Sequence, residues 1–162
     1  MEALEVRPAV APQLGIRASL PIGGRYALGV GLSVSHSNLR ATDDTATSTV
    51  TTLTMWSPSV FLRADILPWL GAEAHLGLQI YDPGETVGTL FSQGAPVEPS
   101  LGLGLAMERA LGHRLTASLF VQYDAHRFTT TALGARGFTG ATVVHRVAVG
   151  LSLRREFGHA KP

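Results

Sequence analysis

The sequence predicts an all-β fold, an antiparallel up-and-down barrel of membrane-spanning strands. Three observations carry that expectation. Apolar residues recur at every second position almost throughout, the period of a strand with two different faces. The intervening positions hold small residues. The connections alternate between short and long along the chain.

The composition narrows the class. Charged residues make up 15% of the 162 residues, below the roughly 25% of ordinary soluble domains. No apolar run approaches the ~20 residues of a membrane helix. Apolar content without a spanning helix therefore points to strands. The chain has no cysteine, which excludes disulfides, thiolate metal sites and a cysteine nucleophile. A net charge of +1 and scattered basic residues give no stripe for nucleic acid. Met1 is followed by Glu2, Glu5 and Arg7, so the N-terminus lacks the cationic and apolar regions of a secretory leader.

Residues 1–162 read as one domain. In residues 1–12, Leu4, Val6 and Val10 are interrupted by Pro8 and Pro12. Proline cannot donate to a ladder, so this segment reads as irregular, or as the remnant of a first strand. Seven strands follow. In the first, Leu14, Ile16, Ala18 and Leu20 alternate with Gly15, Arg17 and Ser19, up to a turn at Pro21–Gly24. Tyr26, Leu28, Val30, Leu32 and Val34 alternate with Ala27, Gly29, Gly31, Ser33 and Ser35. A polar stretch, His36–Thr49, reads as a long loop.

Trp56, Pro58, Val60, Leu62, Ala64 and Ile66 then oppose Ser57, Ser59, Phe61, Arg63 and Asp65, before a turn at Leu67-Pro68-Trp69. Ala72, Ala74, Leu76 and Leu78 oppose Gly71, Glu73, His75 and Gly77, and a second long loop is expected at Asp82–Ala95. Leu101, Leu103, Leu105 and Met107 oppose Gly102, Gly104, Ala106 and Glu108, up to a short turn at Arg109–His113. Leu115, Leu119, Val121 and Tyr123 oppose Thr116, Ser118, Phe120, Gln122 and Asp124, with a third long loop at Ala125–Gly140. Val143, Val147, Val149, Leu151 and Leu153 close the series, and residues 158–162 are a tail.

The second parity decides which way the faces point. A soluble barrel needs water-loving residues outside; here the non-apolar parity is Gly, Ala and Ser with single charges. Small residues suit the inside of a barrel of about eight strands, where side chains fill the interior. The apolar parity then faces lipid, in which only a closed barrel satisfies every backbone group. The expected lumen cluster is Arg17, Arg63, Asp65, Glu73, His75, Asp124, Arg146 and Arg154. Tyr26 and Trp69 near the short turns, and Trp56 and Tyr123 toward the long loops, are expected as interfacial aromatics. A three-residue turn at Leu67–Trp69 sets Arg63 opposite Glu73 and Phe61 opposite His75, and predicts an Arg63–Glu73 ion pair.

Catalytic motifs do not assemble. His36 and Ser37 are adjacent and so point to opposite faces, unlike a membrane hydrolase dyad. Glu73 and His75 lack a second histidine on their strand for a metal, and Gly102 and Gly104 open no phosphate loop. No enzymatic activity, cofactor or metal is expected.

The run Gly15-Ile16-Arg17-Ala18-Ser19-Leu20-Pro21, followed by Leu28-Gly29-Val30-Gly31-Leu32-Ser33-Val34-Ser35, is similar to the central hairpin of the small bacterial outer-membrane β-barrels, the OmpA-like and OmpX-like family. The resemblance covers nearly the whole chain as pattern. It implies an eight-stranded barrel, of which seven strands are readable here and the first is weak or missing. Gly150, Leu151, Leu153 and Phe157 resemble the family's terminal signal for the barrel assembly machinery, with Arg155 departing from it. The resemblance also implies the bacterial outer membrane as location and outer-membrane lipid and lipopolysaccharide as surroundings. The expected role is structural or surface-exposed, in adhesion or envelope integrity, with a plugged lumen and an unknown extracellular ligand. The alternatives are a narrow solute channel and, more distantly, a lipid-modifying enzyme. Long loops would be extracellular and short turns periplasmic.

Overall fold

A computed structural model describes residues 5–8, 11–42, 47–83, 97–112, 114–128 and 142–155. They form strands β1 (Glu5–Pro8), β2 (Gln13–Gly23), β3 (Tyr26–Thr42), β4 (Thr47–Leu67), β5 (Leu70–Pro83), β6 (Val97–Gly112), β7 (Leu115–Phe128) and β8 (Thr142–Arg155). No described residue is helical. From β3 to β8 each strand pairs antiparallel with the next in the chain.

The N-terminal edge holds two segments. β2 pairs with β3 from Gln13↔Ser35 down to Gly23↔Tyr26, and β1 pairs with the far end of β3 from Glu5↔Thr42 to Pro8↔Leu39. β1 therefore continues the edge that β2 occupies and is not the remnant of a separate first strand. The β1 ladder ends at Pro8↔Leu39 and the β2 ladder begins at Gln13↔Ser35, so the count along this edge exceeds that along β3 by one residue. Prolines at 8 and 12 bracket that mismatch, where a donor is not required.

The sheet thus has seven strand positions, curled into a half-barrel. With an odd number of antiparallel neighbours the two outer strands, β2 and β8, run parallel. Among the described residues no ladder joins them. The edges nonetheless approach each other, because Arg146 on β8 donates to Gln13 Oε1 on β2 at 2.6 Å.

Five strand boundaries differ from the sequence reading. The stretch His36–Thr49 is mostly ladder: β3 continues to Thr42, and β4 begins at Thr47. Thr and Ser are compatible with a strand and lack only the apolar alternation that marks the rest of β3 and β4. Asp82 and Pro83, and Ala125 to Phe128, likewise belong to β5 and β7, and Arg109 to Gly112 belongs to β6. The remainder of those two long loops lies outside the described residues.

The short turns share one construction. Leu67 pairs with Leu70, so the turn is Pro68-Trp69 and not three residues long; the ladder then resumes at Asp65↔Gly71, leaving Ile66 as a bulge. Gly23↔Tyr26 with Pro21↔Ala27, and Gly112↔Leu115 with Ala110↔Thr116, repeat it and leave Ile22 and Leu111 extra. A two-residue turn plus one bulged residue consumes as many residues as a three-residue turn. The register is therefore the expected one: Arg63↔Glu73 and Phe61↔His75.

The two faces have opposite characters. On the convex face the apolar residues are exposed: Leu14 at 76%, Leu103 at 62% and Leu151 at 83%. The concave face buries Ser35, His75, Gln79, Ser100, Ser118, Asp124 and His126, against three buried hydrophobics, Leu53, Phe61 and Tyr81. Water-soluble folding would bury the apolar face. Here that distribution is turned inside out.

Candidate functional site: the concave face

Every residue of the expected lumen cluster lies on the concave parity. Arg17 comes from β2, Arg63 and Asp65 from β4, Glu73 and His75 from β5, Asp124 from β7, and Arg146 and Arg154 from β8. Their contacts cross strands that are not neighbours, as the curl requires.

Toward the short turns, Glu108 on β6 is the hub. Its carboxylate accepts from Arg63 at 2.6 Å, from Ser118 at 3.1 Å and from Arg154 at 3.4 Å. Arg63 also donates to Asp65 at 2.9 Å. Midway along the strands Arg17 spans the concavity to pair with Glu73, lying over the Phe61 ring 4.0 Å from its centroid. His75, its Nδ1 3.8 Å from Glu73, directs Nε2 to the Asp124 carboxylate. Gln122 donates to the second Asp124 oxygen at 3.0 Å. Toward the long connections, Ser57 donates to Gln79, Gln79 donates to Ser100, and the Tyr81 hydroxyl shares a hydrogen bond with His126.

The expected Arg63–Glu73 ion pair does not form, although the two residues are directly opposed. Arg63 lies over Gly71, where any Cβ would run into its guanidinium, and so extends toward the turn. Glu73 is taken by Arg17 instead. Opposition across a ladder constrains Cβ atoms, and an arginine is long enough to choose among several carboxylates.

Glu108, Gln122, Gln13, Tyr81 and His126 were missed as members of the network. The first three carry the concave parity within readable strands, so parity alone could have found them. Tyr81 follows the last residue of the apolar alternation on its strand, and His126 stands in a segment read as a loop.

The small concave residues have a specific use. Gly29 lies opposite Phe61, Gly102 opposite His75 and Gly150 opposite Phe120. At each, an added Cβ would collide with the facing ring. Glycine makes room for one large side chain per pair.

The four expected aromatics are all exposed, Tyr26, Trp56 and Tyr123 on the convex face and Trp69 in a turn. Tyr123 stacks on His145 with ring centroids 5.9 Å apart. His36 contacts Thr54 at 3.0 Å on this face, while Ser35 is buried on the other, so no His–Ser dyad is assembled there. Of the expected assembly signal, Leu151 and Leu153 are highly exposed and Gly150 faces Phe120, whereas Phe157 lies outside the described residues.

What this concave face can do chemically is hold charges in pairs and fill space. Among the described residues no group of three metal-ligating side chains converges. Comparison with family models, with curated proteins and with solved structures finds no match.

Proposed function

We propose that this chain is an integral β-barrel of the bacterial outer membrane, with a polar, plugged lumen and a structural or surface-exposed role. The observation that carries the reading is the inverted polarity: an apolar convex face surrounds an ion-paired concave one. From Leu70 to Ile80 the convex parity of β5 carries no charge. Ten steps at about 3.3 Å, tilted by roughly 40°, give a band about 25 Å tall, the height such barrels present to lipid.

An eighth strand completes the barrel in this reading. β2 and β8 both run toward the short turns, so a strand between them would run the other way and pair antiparallel with both. The OmpA-like resemblance supports the same number, and bacterial single-chain barrels have even counts. Assembly by the barrel assembly machinery, and surroundings of lipid and lipopolysaccharide, follow from the same assignment. Cross-lumen contacts such as Arg17–Glu73 and Arg63–Glu108 favour a plug over a solute channel.

The test is electrophoretic. Refolded into detergent micelles or vesicles, the protein is expected to run as a heat-modifiable band, compact when unheated and slower after boiling. A folded monomer in buffer without detergent would overturn the membrane reading. Stepwise ion conductance in planar bilayers would overturn the plug while leaving the barrel.

A further inference from the structure

One group on the concave face is placed for more than pairing. His75 is 5% exposed, and its two ring nitrogens look into different surroundings. Nε2 is hydrogen-bonded to the Asp124 carboxylate of β7. Nδ1 lies 3.8 Å from a Glu73 oxygen, beyond hydrogen-bond reach, and is buried with no hydrogen-bond partner among the described residues. A buried nitrogen of this kind is ordinarily satisfied by water.

Two cavities meet at this ring. The larger, about 180 Å³, extends toward the short turns, with Gly71, Ser118 and Ser152 in its wall. The smaller, about 20 Å³, extends toward the long connections, with Gln79 and Ser100 in its wall. Polar walls and these volumes admit water to both. Glu73 borders the larger cavity and Asp124 the smaller, and neither borders both. Among the described residues, His75 is the only side chain lining both cavities that can exchange a proton at physiological pH.

The charges around the ring suit a passing cation. Glu73 is held by Arg17, and Asp124 by Gln122 with Arg146 directly opposite. Both carboxylates therefore stay in place and flank the imidazole, and an imidazolium between them is stabilised from two sides. His126, two residues beyond Asp124 on the same face and bonded to the Tyr81 hydroxyl, carries the line on toward the long connections. Larger ions meet the Arg17–Glu73 and Arg63–Glu108 pairs that span the concavity.

We propose that His75 relays protons between the two cavities, so that the barrel passes protons while staying closed to solutes and to other ions. This rests on the membrane reading above. A hydronium in the larger cavity protonates Nδ1 and leaves as water. The imidazolium then releases its Nε2 proton to the Asp124 carboxylate, which passes it to water in the smaller cavity. Half a turn of the neutral ring about Cβ–Cγ carries Nδ1–H to the Asp124 side and the bare Nε2 to the Glu73 side, ready for the next proton. Only O–H and N–H bonds are exchanged, and the relay runs in either direction.

The experiment measures ion entry into phosphatidylcholine vesicles carrying the refolded protein. Vesicles holding the pH dye pyranine receive an external acid step, with potassium and valinomycin clamping the potential. Vesicles holding the chloride dye lucigenin report whether other ions pass. Protons are expected to enter faster than in protein-free vesicles, while chloride stays out. H75Q keeps a polar side chain but takes up no proton there. It should fall to the protein-free rate while still giving the heat-modifiable band. D124N should slow proton entry too, and it carries the test if H75Q fails to refold. Proton entry at the protein-free rate in the unmodified protein would overturn the relay while leaving the barrel. So would entry undiminished in H75Q, or in D124N where H75Q does not refold. Chloride entry alongside the protons would also overturn it, because a water-filled pore would account for both. A protein that stays folded in buffer and never inserts would overturn the membrane reading instead.

Discussion

Glycine and glutamate positions set the concave face at single-residue scale. Gly102 leaves the space that the His75 ring fills, and Gly29 does the same for Phe61. Adding one methyl group at either site forces a ring or a ladder to move. G102A and G29A are each expected to cost about 1–3 kcal/mol in urea unfolding from detergent. G104A is the control, since a Cβ there meets its nearest atom at an ordinary 3.5 Å. Glu108 is the other sensitive position, because two arginines converge on it and its side chain is 10% exposed. E108A removes the carboxylate that the two arginines share and leaves Arg63 with Asp65, and a loss of about 1–3 kcal/mol is expected in the same assay. Facing was legible in the sequence at this scale, since a strict period of two assigns every residue to a side. Partner choice was not. Arg63 and Glu73 are opposed as the register implies, but flexible side chains and the gap over Gly71 send Arg63 to Glu108.

The elements repeat one solution at the short-turn end. Ile22, Ile66 and Leu111 are each a bulged residue just before a two-residue turn. The bulge makes a specific outcome testable. Deleting Ile66 removes the extra residue and leaves Leu67↔Leu70 and Asp65↔Gly71 in a regular ladder. That variant is expected to refold with a near-normal yield of heat-modifiable band. Deleting Val60 in mid-strand instead moves every residue on one side of it to the wrong face, and refolding should fail. Equal yields for the two deletions would contradict the register. The three-residue turn read from Leu67-Pro68-Trp69 gave the correct pairing because turn plus bulge uses the same count. The strand ends were not legible. Where β3 and β4 extend past the apolar band, Thr and Ser carry no alternation, so a polar β-ribbon and a loop look alike in sequence. The weak N-terminal segment was legible as interrupted, but its place, on the same edge as β2, depends on a pairing with Leu39–Thr42 that no local pattern announces.

The whole molecule is organised by solvent. Among the described residues the apolar ones line the convex face and most ion pairs lie on the concave one, the polarity that the proposed hydrocarbon surroundings would require. An arginine at Leu103, exposed on the convex face, is expected to cost about 2–4 kcal/mol in vesicles, and one at Leu119 a similar amount. A lysine at Gly104, on the concave parity of the same strand, should cost less. Since the chain contains no cysteine, the central claim has a direct readout. Single cysteines at residues 101 to 107 of β6 are spin-labelled in the protein refolded into vesicles. Collision rates with oxygen, which partitions into lipid, and with a water-soluble nickel chelate are then compared. The inverted barrel predicts high oxygen and low nickel accessibility at 101, 103, 105 and 107, and suppressed oxygen accessibility at 102, 104 and 106. High nickel accessibility at the odd positions, with oxygen accessibility no greater than at the even ones, would contradict it.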